Sequence, residues 1–146
     1  MKVKKFTYYM TCTLSMLVGI WHYFVPQLFD WYSYLPAQYE NLIVAIEWTN
    51  WCFSVLLFGV SLICLIWGRK AFNQNREAKK LYIFLTLVWI YRACLALFIR
   101  PWPLEPVPAV AIGQLVVSVV LTIAMIFVSV GFVKELFNER KAEKKL

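Results

Sequence analysis

Charge is scarce in this chain. Of its 146 residues, 16% are charged and 62% apolar, where a water-soluble domain has about 25% and about 45–50%. A single domain of this length could not hide so much apolar surface in water, which leaves lipid as the solvent. Cysteine is limited to Cys12, Cys52, Cys64 and Cys94, each inside an apolar run and none in a C-x-x-C pair. That pattern excludes a disulfide scaffold and argues against zinc; the plain reading is small apolar residues in buried helices. There is one histidine, with no cysteine or aspartate cluster near it in sequence, so no metal site is expected. A phosphate-cradling glycine loop, a serine-nucleophile motif and a ligand set for haem or an iron–sulfur cluster are all missing, and no cofactor is identified. Basic residues interleaved with aromatics are missing too, so the net charge of +7 does not point to nucleic acid.

What is present is four long apolar runs: Phe6 to Val25, about Glu47 to Trp67, Leu81 to Ile99 and Val107 to Val133. A helix needs about 20 apolar residues to cross about 30 Å of hydrocarbon. A lone strand would leave its backbone unsatisfied in lipid, so the runs are expected to be helices. The first run follows Lys2, Lys4 and Lys5 but has no small-x-small cleavage pattern, which predicts a retained anchor. Thirteen of the fifteen Lys and Arg residues lie at the N-terminus, in residues 69–80, or in the tail at 134–146. The first loop has none, and the third has only Arg100. The positive-inside rule then predicts a multi-pass protein of the plasma (inner) membrane, with both termini in the cytoplasm. The basic segments set this orientation, and they are also placed to touch anionic headgroups. The expected fold class is all-α: one polytopic four-helix transmembrane bundle, followed by a basic cytoplasmic tail.

Two loops stand out. Residues 26–39 read PQLFDWYSYLPAQY, too apolar for a solvated loop and too short to span. This segment is expected to lie in the membrane interface, as an anchor or as a lid over a cavity. Trp48, Trp51 and Trp102 extend the same aromatic belt. The third loop, RPWPLEPVP, predicts a stiff link, with Pro106 and Pro108 marking the start of helix 4.

Polar groups inside hydrocarbon are costly, about 2.5–3.5 kcal/mol for a charge at a helix centre, so those present face an interior or a wet cavity. They are His22, Glu47, Asn50, Arg92 and Gln114. At about 1.5 Å per residue, Arg92 lies roughly 12 Å, Gln114 roughly 9 Å and His22 roughly 6 Å below the outer surface, so the set gathers in the outer half. Small and hydroxyl residues repeat every three or four positions below them: Thr7, Thr11, Ser15 and Gly19 on helix 1; Asn50, Ser54 and Ser61 on helix 2; Arg92, Ala96 and Arg100 on helix 3; Ser118 and Thr122 on helix 4. Such stripes mark helix contacts. Each polar residue has two readings. Arg92 is an oxyanion holder or a structural group, paired with Glu47 or bonded to helix-end carbonyls. His22 and Glu47 are an acid–base pair or an interhelical hydrogen bond and an interfacial carboxylate. Asn50 and Gln114 are ligand contacts or interhelical glue. Ala109 and Gly113 permit close contact within the chain or in a homo-oligomer.

The motif GIWHYFVP ending helix 1, the aromatic segment LFDWYSYLP and Glu47 opening helix 2 resemble the DoxX-like group of small four-helix bacterial membrane proteins. The likeness covers helices 1 and 2 and the topology; Arg92 lies outside it. Some members of that group are associated with membrane redox or sulfur metabolism, so the resemblance implies a redox-partner role. The leading expectation is a pocket in the outer leaflet for a lipid, quinone or other small amphiphile, in a protein acting alone or as an accessory subunit beside a membrane-protein partner. The alternatives are a membrane-embedded enzyme using His22, Glu47 and Arg92, a small transporter, and a structural partner.

Overall fold

The computed structural model describes residues 2–99 and 108–143. Among them every regular element is helical: α1 (Lys2–Leu28), α2 (Glu40–Phe72), α3 (Arg76–Cys94, continued by a π-helical turn, Leu95–Ile99) and α4 (Pro108–Glu143). Two 3-10 turns, Trp31–Tyr34 and Ala37–Tyr39, carry the aromatic segment between α1 and α2. The proline-rich link, with Arg100, Trp102, Glu105 and Pro106, lies outside the described residues. α4 does begin at Pro108, where a fixed φ and a missing N–H suit the first helical turn.

α2, α3 with its π turn, and α4 are each long and apolar enough to cross a membrane. α1 has the length, but tyrosines, hydroxyls and His22 keep its most apolar stretch below those of these three. All four helices outrun their apolar stretches. α2 starts at Glu40 rather than Glu47, because Asn41–Ile46 continues the helical run. α4 has 36 residues, about 54 Å at 1.5 Å per residue, and takes the basic tail into the helix as far as Glu143. α2 ends at Phe72, and Gln74 just beyond it takes the left-handed region with φ 65°. α3 then starts at once, capped by the Asn75 side chain, which accepts from the Ala78 N–H at 2.9 Å.

The side chains are sorted for lipid rather than water. Thr11, Ser15 and Ser61 are 0% exposed, whereas Ile123 is 62% and Val120 59% exposed. Buried hydroxyls among packed apolar side chains, with further large apolar residues left exposed, is an arrangement suited to lipid.

The chain divides into two compact units, one of Met1–Thr11 with Ile66–Leu146 and the other of Cys12–Leu65. In the first, α3 and α4 run antiparallel and are joined by a ladder of polar contacts. Lys79 pairs with Glu135 at 2.9 Å and Glu139 at 3.0 Å. Thr86 meets Ser129 at 2.7 Å, and Thr122 donates to the Trp89 carbonyl at 3.0 Å. Arg92 Nε donates to Ser118 Oγ at 3.4 Å. Beside the charged rung lies an aromatic core, with Tyr8 stacked on Tyr82 at 4.4 Å and Phe132 edge-on to Phe72 at 5.3 Å. The Tyr82 hydroxyl is 2.8 Å from Thr11 Oγ1, which itself donates to the Tyr8 carbonyl. Since that bond uses the threonine's proton, Tyr82 is the donor to Thr11.

In the second unit α1 and α2 approach closely. Ser61 donates to Ser15 at 2.8 Å, and a Cβ on Gly19 would stand 2.7 Å from the backbone nitrogen of Phe58. Glycine is required at that crossing, because the obstacle is backbone and cannot turn aside.

Candidate functional site

Pro26 sits in the last turn of α1 and has no N–H to give the carbonyl four residues earlier, that of His22. α2 supplies the missing donor: Asn50 Nδ2 bonds the His22 carbonyl at 2.7 Å. A carbonyl only accepts, so this contact fixes the amide nitrogen inward and orients the whole carboxamide. Ser54 donates to the Asn50 backbone carbonyl at 2.7 Å. The His22 ring is held by its own helix, with Nδ1 2.9 Å from the Val18 carbonyl and an edge contact to Phe53 at 5.4 Å. Nδ1 therefore carries the proton in the neutral ring.

Asn50 and Phe53 also form part of a groove of about 410 Å³, completed by Trp31, Ala45, Ile46 and Thr49. Its walls are apolar except at Asn50 and Thr49, and the Thr49 hydroxyl is spent on the Ala45 carbonyl at 2.7 Å. The Asn50 carboxamide is thus the main polar feature of an apolar trough. Trp31 brings the aromatic turn to its edge. In the same unit Glu47 lies beside Tyr32, whose buried hydroxyl has no hydrogen bond of regular geometry. Burial first, and then the Glu47 carboxylate, push the Tyr32 phenol pKa up. The Trp51 indole N–H is also buried without a partner among the described residues, and its ring stacks on Tyr23 at 5.8 Å.

Arg92 and Gln114 belong to the other unit, where Ser118 bonds the Arg92 side chain and the Gln114 backbone. The Ser118 hydroxyl donates to the Gln114 carbonyl at 2.7 Å and accepts from Arg92 Nε. The Arg92 guanidinium stands 5.6 Å from the Trp89 ring centroid, a cation–π distance. From Leu95 the helix takes a π turn, which changes the helical period beyond Arg92; Arg100, the last member of the expected stripe, lies outside the described residues. The structure thus ties the Asn50 carboxamide to the His22 backbone carbonyl, ties Arg92 to Ser118 one turn past Gln114, and gives Glu47 a tyrosine for a neighbour.

Two features escaped the sequence. The polar-residue pattern singles out Asn50 without Trp31 and Thr49, although the spacing of Ala45, Ile46, Thr49, Asn50 and Phe53 puts them on one side of α2. By charge count alone Lys79 reads as one of the loop cations of residues 69–80. It is 1% exposed and clasped by glutamates. The signal was available: Glu135, Glu139 and Glu143 repeat every four residues, and Arg76 and Lys79 are three apart. Among the described residues no group of three or more His, Cys, Asp or Glu could hold a metal. Comparisons with protein-family models, with curated proteins and with solved structures found no match.

Proposed function

We propose that this is a multi-pass membrane protein that binds a small amphiphile, a lipid or a quinone, in the groove beside Asn50. In this reading α1 joins the three more apolar helices as a fourth span, both termini are cytoplasmic, and the groove opens in the outer leaflet of the plasma membrane. The likeness to the DoxX-like group favours the same topology. The groove itself carries the reading. At about 410 Å³ it falls in the size range of small-molecule sites, which are mostly apolar with few polar groups. The second Asn50 N–H would bond a quinone carbonyl or ester oxygen, and the amide oxygen a hydroxyl. Trp31 and Phe53 would flank a ring or chain.

The test is mass spectrometry of the full chain purified in mild detergent. The wild type should carry one reproducible amphiphile at near-unit stoichiometry. Ala45→Phe, at an exposed wall position, should fill the trough and abolish that adduct while thermal unfolding stays within a few degrees of wild type. A wild-type protein without a reproducible adduct, or an A45F protein that keeps it, overturns the proposal.

A further inference from the structure

A second groove, of about 350 Å³, runs along the outside of the α3–α4 pair. Ile83, Leu87 and Ile90 form one wall, with Ile126 and Val130 opposite, and Lys134 closes one end. Thr86 and Ser129 in its floor satisfy each other, so the trough offers no polar contact along its length. From Ile83 to Ile90 it covers about 10 Å of helix, most of the roughly 15 Å that one leaflet contributes to a hydrocarbon core of about 30 Å. Leu87 is 56% and Val130 47% exposed, so the trough lies open to whatever solvates the helices.

The cations near this end differ in their partners. Arg76 is held by Glu139 and Glu143, Lys79 by Glu135 and Glu139, and Lys80 by Glu77. Lys134 has no carboxylate within ion-pair distance among the described residues, and its side chain is exposed. We infer that this groove holds one acyl chain of an anionic phospholipid, whose phosphate rests on Lys134. The chain replaces bulk lipid against a trough of matching length, and the headgroup supplies the counter-charge that α3 and α4 leave out. The inference needs the helices to lie in a membrane. It does not need the groove beside Asn50 to be occupied.

The experiment exposes delipidated full-length protein to equimolar phosphatidylcholine and phosphatidylglycerol vesicles, followed by native mass spectrometry. The wild type should retain one phosphatidylglycerol with a preference of about five-fold, the effect of one lysine at an anionic surface. Lys134→Gln should lose the preference, and Lys134→Arg should keep it. Val130→Trp should lower retention of both lipids by filling the trough, while A45F leaves the preference intact. Equal retention by the wild type, an unchanged preference in K134Q, or a dimer in place of the lipid adduct would each refute the inference. Lys134 is exposed, so K134Q should unfold at the wild-type midpoint, and its loss of preference would not be a folding defect.

Discussion

Neutralising Glu135 and Glu139 together should destabilise the protein far more than replacing Lys79 by methionine. The two sides of this cluster differ in their access to water: Lys79 is 1% exposed, against 52% for Glu135 and 26% for Glu139. In E135Q/E139Q the ammonium stays buried with no counter-charge. Breaking a buried pair in this way costs about 3 kcal/mol, the low end of the usual range because the lysine stem lets the head shift toward water. Lys79→Met removes the buried charge and keeps the bulk of the stem. It leaves two carboxylates that water can reach, one still paired with Arg76 at 2.9 Å. That change should cost at most about 1 kcal/mol, as a swap of similar volume does. Adding K79M to E135Q/E139Q should recover most of the loss. Unfolding midpoints of the four proteins in sodium dodecyl sulfate would decide it; a triple variant no more stable than the double one would rule out the buried charge as the cause.

Phe132→Ala is the second large effect. Phe132 is 1% exposed, and its ring meets Phe72 at 5.3 Å, Tyr82 at 5.8 Å and Tyr8 at 6.1 Å. Three chain segments therefore converge on one ring; Tyr8 and Tyr82 are held by their stack and by the Tyr82–Thr11 hydrogen bond, and Phe72 by its edge contact with Tyr8 at 5.4 Å. The expected loss is about 3 kcal/mol, the lower bound of the Phe→Ala range. In lipid part of the transfer contribution disappears, because the separated helices are also solvated by apolar chains. Phe132→Leu should recover more than half. A thermal midpoint for F132A within two or three degrees of wild type would show that the ring is not a packing centre.

The helices were legible because lipid imposes a length on apolar runs and forbids unpaired backbone. Their ends were not. The stretch Lys134–Glu143 reads as a solvated basic tail when each charge is counted alone. It becomes helix because Glu135, Glu139 and Glu143 find Arg76 and Lys79 across from them, a register no single segment reveals. The buried hydroxyls Thr11, Ser15, Ser118 and Thr122 follow the three-and-four spacing visible in the sequence, since helical geometry alone sets it. That reasoning stops at Leu95, where a π turn alters the period without a proline or glycine to announce it. The candidate groove was half visible. Asn50 stood out as a polar residue in an apolar run, but its tie to the His22 carbonyl follows from Pro26, a proline whose effect is felt four residues upstream.

The α3–α4 ladder also implies an order of assembly. Its rungs join residues 26, 33, 43 and 60 apart in the chain, from Arg92–Ser118 through Thr122–Trp89 and Thr86–Ser129 to Lys79–Glu139. Closing a loop costs more entropy as it lengthens, so the rung nearest the connecting segment closes most cheaply, and each one formed shortens the loop left for the next. The pair should zip from the Arg92 end toward the charges. In refolding kinetics Thr122→Ala should then slow folding, while Glu139→Gln should mainly speed unfolding; the reverse pattern would refute the sequence of events. The charged clasp is on this account the last contact to close and the first to open.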